Sequence, residues 1–213
     1  MARKRLANRG DPAWALTKAI YDDFGLRAAE PPLTADKTAL PIVLSQRRGS
    51  CVGIASVYLS LAEALQLKAA AVLVPEHLFM RLRRGDRATN IETLRGGRSY
   101  GDAWYRKKHR VPSGVSAYMR DLSSNEFRGV VAYNLGNAYR KARRRKTALI
   151  AYTEATRLFP TFAEAHANRG LLLYLLGDYP AAKAAFARAA ELYPRLPGLR
   201  ENTAVLQRAI KRR

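Results

Sequence analysis

The chain contains a single cysteine, Cys51, at a position where a thiol can be chemically reactive. It follows a Gly-Ser pair and begins the apolar stretch CVGIASVYLSLAEALQL, which predicts a helix over residues 51–67. The dipole and the free N–H groups of a first helical turn favour the thiolate over the thiol, and Arg47 and Arg48 act in the same direction. A cysteine that only fills a core could lie anywhere along this helix, which is the structural alternative. The position of Cys51 therefore indicates a candidate nucleophile.

Two polar residues downstream of Cys51 could complete a catalytic group. His77 begins one predicted strand, and Asn90 lies on the next. His77 would pair with the thiolate and transfer protons, and Asn90 would hold the imidazole in the useful tautomer. The alternation of polar and apolar residues places both side chains on one face. A turn at Gly85-Asp86, however, puts Asn90 opposite Arg81, four residues along from His77. Direct contact would then require a bulge or a longer loop.

The elements that must position these residues alternate between helix and strand. Asp11-Pro12 is an N-cap followed by a proline in the first helical position, and a short helix is interrupted or starts at Pro41. Glu92 and Gly96-Gly97 are interpreted as shaping the loop after the last strand, and a connection rich in Tyr, Trp, Lys and Arg follows. This pattern predicts an α+β fold for residues 1–127. The predicted strands are 68–74, 77–84 and 88–94.

The second part of the chain shows an internal repeat. Gly136 and Gly170 lie 34 residues apart, and further pairs of similar residues share this spacing. The period is typical of the tetratricopeptide repeat, in which small residues lie where two helices cross and a proline ends the second helix. Two repeats leave an apolar face to cover, and residues 199–211 are predicted to form the capping helix. The matched pairs are Ala148 and Ala182, Tyr152 and Phe186, Ala155 and Ala189, and Pro160 and Pro194. The predicted repeats span about 129–162 and 163–196.

Three stretches of the first part resemble one known family. They are LSQRRGSCVGIASVYLSLAEALQL, VPEHLFMRL and TNIETLRGG. They resemble the bacterial transglutaminase-like core family, and in particular its Sir-B type, in which that domain precedes tetratricopeptide repeats. The stretch SAYMRDLSSNEFRGVVAYNLGNAYRKA fits the same arrangement, so the resemblance covers about residues 35–196. It implies a papain-like domain over 1–127, followed over 128–213 by an α-helical repeat array with a capping helix.

The resemblance also implies roles for particular residues. Cys51, His77 and Asn90 match a Cys-His-Asp/Asn triad, and Gln46 is a candidate oxyanion donor beside the backbone N–H of Cys51. Such a triad implies a cysteine-dependent peptidase, amidase or transamidase that acts through a thioester. The alternatives are an interaction scaffold with a vestigial triad and a basic nucleic-acid-associated protein. No cofactor is expected, and the scattered histidines and the one cysteine lack the spacing of metal ligands.

The charge of the chain constrains its partners. The chain carries 38 Lys and Arg residues against 17 Asp and Glu residues, which gives a net charge of +21. This charge favours an acidic partner or a nucleic acid, although an Arg-rich composition without a functional role would give the same value. We expect an acidic or C-terminal protein segment in the groove of the repeats. The alternative is a nucleic acid bound by the basic runs 104–110 and 139–146. The predicted groove residues are Tyr133, Asn137, Arg140, Lys141 and Tyr174.

The sequence also bears on the cellular compartment. No apolar run approaches the ~20 residues that span a bilayer. One cysteine cannot form an internal disulfide, which fits a reducing environment. A cytoplasmic location is therefore expected.

Overall fold

The computed structural model describes residues 2–4, 11–31 and 34–212, and the chain divides into two compact units. The first unit comprises Met1–Ser113 and Tyr118–Ser123, and the second comprises Gly114–Ala117 and Ser124–Arg213. The first unit combines helices with two small sheets, whereas the described elements of the second are all helices. The predicted fold class, an α+β domain followed by a helical repeat array, is confirmed.

Short elements lead to the cysteine in the first unit. The Asp11 carboxylate caps the helix Pro12–Thr17 by accepting from the backbone N–H of Ala13 at 3.0 Å and of Trp14 at 3.3 Å. Proline occupies the first turn of both early helices, as predicted. These elements are α1 (Pro12–Thr17) with a wider helical turn that continues to Asp23, β1 (Arg27–Ala28), a 3-10 helix (Ala35–Lys37), α2 (Leu40–Gln46), β2 (Arg48–Gly49) and α3 (Cys51–Ala64).

A three-stranded antiparallel sheet carries the histidine. Helix α3 packs against two of its strands, so that Ile54 and Tyr58 of the helix are fully buried. Leu78, Phe79 and Met80 of the middle strand are also buried. This packing brings the helix that begins at the cysteine against the strand that begins at the histidine. The strands, in spatial order, are β3 (Lys68–Val74), β4 (His77–Arg84) and β5 (Arg87–Ile91).

Two tight turns set the register of this sheet. Pro75 and Glu76 connect β3 to β4, and the φ of 60° at Glu76 suits a type II turn with proline before it. The second turn, at Gly85-Asp86, is the predicted one, and it places Asn90 opposite Arg81 as the sequence indicated. The predicted third strand ends earlier than expected, at Ile91. The connection after it contains a helix that was not predicted, α4 (Asp102–Lys108).

The second unit consists of helix pairs whose close approach depends on glycine. A Cβ atom added to Gly136 would lie 2.6 Å from ring atoms of Tyr152, and one added to Gly170 would lie 2.7 Å from ring atoms of Phe186. Each glycine therefore lets an aromatic ring of the paired helix pack directly on its backbone. The helices are α5 (Ser124–Lys141), α6 (Arg145–Leu158), α7 (Ala163–Leu175), α8 (Tyr179–Leu192) and α9 (Leu199–Lys211).

Helix α9 has the predicted bounds but a shorter packing face. Leu199 and Leu206 are buried in the cluster that includes Phe186. Helical spacing in the sequence predicts that Ile210 and either Ala204 or Thr203 share this side, yet Ala204 is exposed and Ile210 is 42 % exposed, whereas Thr203 is half-buried. The prediction is wrong for Ile210, because the apolar cluster ends before the last turn of the helix; of the two alternatives, Thr203 rather than Ala204 lies on the half-buried side. No helix in the described part of the chain is long and apolar enough to cross a membrane.

Candidate active site

Cys51 is the first residue of α3, and its neighbours hold the start of that helix in place. The Ser50 side chain caps the helix by accepting from the backbone N–H of Gly53 at 3.2 Å. The backbone N–H of Ser50 in turn donates to the carbonyl of Lys37 at 2.7 Å. A side chain at Gly53 would collide with that same carbonyl. Cys51 is half-buried and its thiol is not part of a disulfide, so a reduced thiol lies at a helix start that its neighbours hold in place.

His77 forms a buried pair with a carboxylate. Its Nε2 lies 3.0 Å from Oε1 and 2.9 Å from Oε2 of Glu92. His77 is 9 % exposed and Glu92 is 2 % exposed. The Oε1 atom also accepts from the backbone N–H of Leu94 at 2.9 Å, which fixes the carboxylate. Because Nε2 donates its hydrogen bond to the carboxylate, Nδ1 is the ring nitrogen left to exchange a proton with the thiol of Cys51.

The charges at this pair follow from burial and from the neighbours. Burial disfavours a charged His77 ring, but hydrogen bonds and charges from Cys51 and Glu92 outweigh burial and raise the pKa of His77 to about 9. Burial would raise the pKa of Glu92. The hydrogen bond and charge of His77, with smaller contributions from Leu94 and His109, lower it instead. At neutral pH the pair is therefore an imidazolium and a carboxylate, with Cys51 beside the ring.

Asn90, predicted as the partner of the imidazole, belongs to another network. Its Oδ1 accepts from Nε of Arg81 at 2.8 Å, and its Nδ2 donates to Oδ1 of Asp102 at 2.7 Å and to the carbonyl of Tyr100 at 3.1 Å. Arg81 also donates to Asp102 at 2.6 Å and to Asp121 at 3.2 Å. The assignment of Asn90 to His77 is corrected, because the register that places it opposite Arg81 keeps it away from the ring.

Glu92 is the residue that the sequence analysis missed. It had been assigned only to the loop after the last strand. Pairing of Met80 with Ile91 puts Glu92 next to Phe79 on the face of the sheet that also carries His77. The same alternation argument that selected Asn90 also applied two residues further along, nearer to His77. That signal was present in the sequence.

Aromatic side chains of α4 cover the histidine. The ring of His109, which ends this helix, stacks on His77 with centroids 4.9 Å apart and planes inclined by 12°. Tyr105 is fully buried and stacks on Phe79 with centroids 3.7 Å apart. Burial and the nearby charge of Glu92 raise the pKa of Tyr105. Helix α4 thus forms an aromatic cover over the His77–Glu92 pair.

Family comparisons match both parts of the chain. The profile of the transglutaminase-like superfamily matches residues 2–124, which is more than half of the chain. The chain belongs to the transglutaminase-like superfamily. Two tetratricopeptide repeat profiles match residues 131–162 and 163–196, so the predicted combination of a transglutaminase-like domain with two repeats is confirmed. No curated protein matches the chain.

Gln46 occupies the end of α2 in this transglutaminase-like chain. It is exposed, and its Oε1 accepts from Nζ of Lys37 at 2.7 Å. The backbone of Lys37 also contacts the helix start at Ser50. These contacts place Gln46 in the structure that supports the cysteine, and its role as an oxyanion donor stays a prediction.

The three histidines are less scattered than the sequence suggested. His77 and His109 are stacked, whereas Nε2 of His166 lies 3.0 Å from the carbonyl of Pro160 in the second unit. Within the residues that the structure describes, no group of three or more His, Cys, Asp or Glu side chains is arranged to hold a metal ion.

Several predicted groove residues hold the repeats together. Oδ1 of Asn137 accepts from the hydroxyl of Tyr152 at 2.7 Å and from Nδ2 of Asn168 at 3.1 Å. Nδ2 of Asn168 also lies 3.2 Å from the hydroxyl of Tyr133. Tyr174 stacks on Tyr179 with centroids 5.8 Å apart, whereas Arg140 and Lys141 are exposed. Of the predicted set, the two cations are therefore the side chains most open to a partner.

Proposed function

We propose that this transglutaminase-like chain is a cysteine-dependent amide hydrolase or transamidase that acts through a thioester. The observation that carries the proposal is the position of His77, buried between Cys51 and the carboxylate of Glu92. The carboxylate holds the ring in one tautomer and stabilises its charged form, as in other acyl-transfer sites with a nucleophile, a base and an orienting acid.

Each step of this reaction has a group to perform it. The Cys51 thiolate attacks the carbonyl carbon of a carboxamide, and the C–N bond breaks while the His77 imidazolium gives its proton to the leaving nitrogen. This leaves an acyl thioester on Cys51 and a neutral ring. Water or an amine then attacks the thioester carbonyl, its proton passes to His77, and the thiolate leaves. Water gives a carboxylic acid, and an amine gives a new amide. We propose that Gln46 donates to the oxyanion during both attacks.

A glutamine-containing peptide with hydroxylamine as the acceptor tests this proposal. Wild-type protein should release ammonia and form the hydroxamate, because the amine intercepts the thioester. Release of ammonia in the absence of hydroxylamine would show that water also resolves the thioester. Cys51→Ala should form neither product, while His166→Ala, in the other unit, should behave as wild type. Failure of wild type to form either product, together with slow alkylation of Cys51, would favour the scaffold with a vestigial triad.

The repeats supply a protein-interaction module, and we propose that an acidic protein segment binds to it along the basic turn of the first repeat. This turn follows Arg140 and Lys141 and adjoins a cavity of about 530 Å³. Among the described residues, no acidic side chain forms an ion pair with the four cations that line this cavity. Leu176, 41 % exposed, provides an apolar contact in the same cavity. The lining residues are Arg143, Arg144, Arg145, Lys146, Thr147 and Leu176.

This cavity favours a peptide over a nucleic acid. Its lining contains no aromatic ring on which a base could stack. The nearby ring of Tyr139 is already covered by the guanidinium of Arg144, which lies 5.7 Å from the ring centroid. Carboxylates could pair with the cations while an apolar side chain contacts Leu176. A cytoplasmic location, where the free thiol of Cys51 stays reduced, is part of the same proposal.

A labelled peptide rich in Asp and Glu with a central leucine is the probe for this site. The triple variant R143Q/R144Q/R145Q should weaken its binding about tenfold at low salt. The control variant R200Q/R208Q/K211Q removes the same charge from exposed positions of α9 and should have a smaller effect. Equal losses of affinity in the two variants would show that binding depends on the net charge of the chain and not on this cavity. Tighter binding of a single-stranded RNA of equal charge would favour the nucleic-acid alternative.

A further inference from the structure

The stacked ring of His109 is a titratable group beside His77 that the proposed reaction does not use. Several contacts hold it in place at the end of α4. Its backbone N–H donates to the carbonyl of Tyr105 at 3.0 Å, and the backbone carbonyl of Pro75 lies within hydrogen-bonding reach of its ring. The rings of Trp104 and Tyr105 contact it from the helix side, with centroids 6.4 Å and 6.3 Å away. Its face is thereby directed onto His77.

We propose that His109 is a positioning residue whose neutral ring holds the imidazole of His77 between Cys51 and Glu92, and whose protonation releases it. This inference rests on the proposed acyl-transfer function. A neutral aromatic face stabilises an adjacent cation, whereas two stacked cations with centroids 4.9 Å apart repel each other in a poorly hydrated site.

The charges around His109 favour its neutral form. Burial is the largest cause that lowers the pKa of His109 below 6.5, and the charges of His77 and Lys108 add to it. Glu92 and the carbonyl of Pro75 oppose this shift without reversing it. At neutral pH the stacked rings therefore carry a single charge, which resides on His77. Acidification adds a second charge, on the half-buried ring of His109, and so weakens the stacking of His109 on His77.

Alkylation of Cys51 by iodoacetamide, followed across pH by mass spectrometry of the intact protein, tests the inference. The readout is specific because the chain has one cysteine. His109→Phe keeps a flat ring that cannot take up a proton, so it should react like wild type at neutral pH and retain its rate to about one pH unit further on the acid side. His109→Ala removes the stack and should lower the rate about tenfold at neutral pH.

Two controls make the outcome decisive. His166→Phe changes a histidine of the second unit and should leave the alkylation profile unchanged. An acid limb that is identical in His109→Phe and wild type would overturn the inference. So would a wild-type rate in His109→Ala. His77→Ala, measured in parallel, separates the two proposals: if it alone alters the profile, the acyl-transfer site survives and only the role of His109 is lost.

Discussion

The Glu92 carboxylate lies 2.9 Å from Nε2 of His77, in the place that the sequence pattern assigned to Asn90. This relationship changes the electrostatics of the site. An asparagine orients an imidazole, but a carboxylate also stabilises its protonated form. The protein buries this ion pair beside its single cysteine, and Asn90 instead helps to hold Arg81.

Glu92→Gln should lower the pKa of His77 from about 9 toward 6.5, because Cys51 and Glu92 together raise this pKa and the substitution removes the negative charge of Glu92 while keeping the size of the side chain. Loss of the imidazolium at neutral pH should slow alkylation of Cys51 about tenfold. Titration of the His77 ring by NMR measures the first effect directly.

Asn90→Ser is the matched control for that substitution. Asn90 contacts Arg81, Tyr100 and Asp102, so its loss should leave the titration of His77 unchanged. A large change in the His77 pKa in Asn90→Ser, with none in Glu92→Gln, would restore Asn90 to the triad.

The buried pair should make stability depend on pH in a defined window. The pKa of His77 is raised from 6.5 to about 9, so its contribution is complete below pH 6.5 and is lost as the pH rises toward 9. The pKa of Glu92 is lowered from 4.5, so its contribution is complete above pH 4.5 and is lost as the pH falls below that value. The pair therefore stabilises the protein most between pH 4.5 and 6.5.

Urea unfolding of wild type and Glu92→Gln across pH tests this window. The difference in the free energy of unfolding should reach about 2–4 kcal/mol near pH 6 and shrink toward pH 9. A difference that stays constant from pH 4 to pH 9 would contradict a charged pair.

Arg81→Met should destabilise the first unit without altering the chemistry of the cysteine. Its buried guanidinium binds Asn90, Asp102 and Asp121; because the two carboxylates reach solvent and only Asn90 is buried, removal of the guanidinium should cost about 1–3 kcal/mol. Unfolding midpoints measure this loss, and the alkylation profile of Cys51 in the folded variant should match wild type. A shift of the alkylation profile along the pH axis would instead show that the Arg81 network influences the reactivity of Cys51.

Gly170→Ala should destabilise the repeats by about 1–3 kcal/mol, because the added methyl group would lie 2.7 Å from the ring of Phe186. The double variant with Phe186→Leu should lose less stability than the sum of the single variants, since the smaller side chain makes room. Thermal unfolding of the three variants measures this coupling. Additive losses would contradict the direct packing of the ring on the glycine.

The sequence predicted those parts of the fold that depend on short-range patterns. The spacing of Gly136 and Gly170 gave the helix pairs, and the turn at Gly85-Asp86 gave the register that places Asn90 opposite Arg81. Both signals act locally, through steric fit at a crossing or through the conformation of a tight turn. Both features can therefore be recognised in the sequence without knowledge of the tertiary structure.

The candidate site was less accessible to sequence reasoning. Alternation along the strand placed Glu92 on the same face as His77 and nearer to it than Asn90, but β5 ends at Ile91, and the sequence does not show how the chain turns after that point. His109 reaches His77 only through α4, a short helix within a stretch that had been interpreted as a connection. A polar residue predicted in the groove can either bind a partner or hold neighbouring helices together, and the sequence does not distinguish the two roles. Asn137 has the second role, because its side chain accepts hydrogen bonds from Tyr152 and Asn168.

The central claim, that His77 activates Cys51, is tested most directly by the pH dependence of Cys51 alkylation in wild type and His77→Ala. Wild type should react rapidly at and below neutral pH. His77→Ala should react more slowly there, with its midpoint displaced to alkaline pH, while the control His166→Ala follows wild type. Slow alkylation of wild type with a profile identical to that of His77→Ala would contradict the claim.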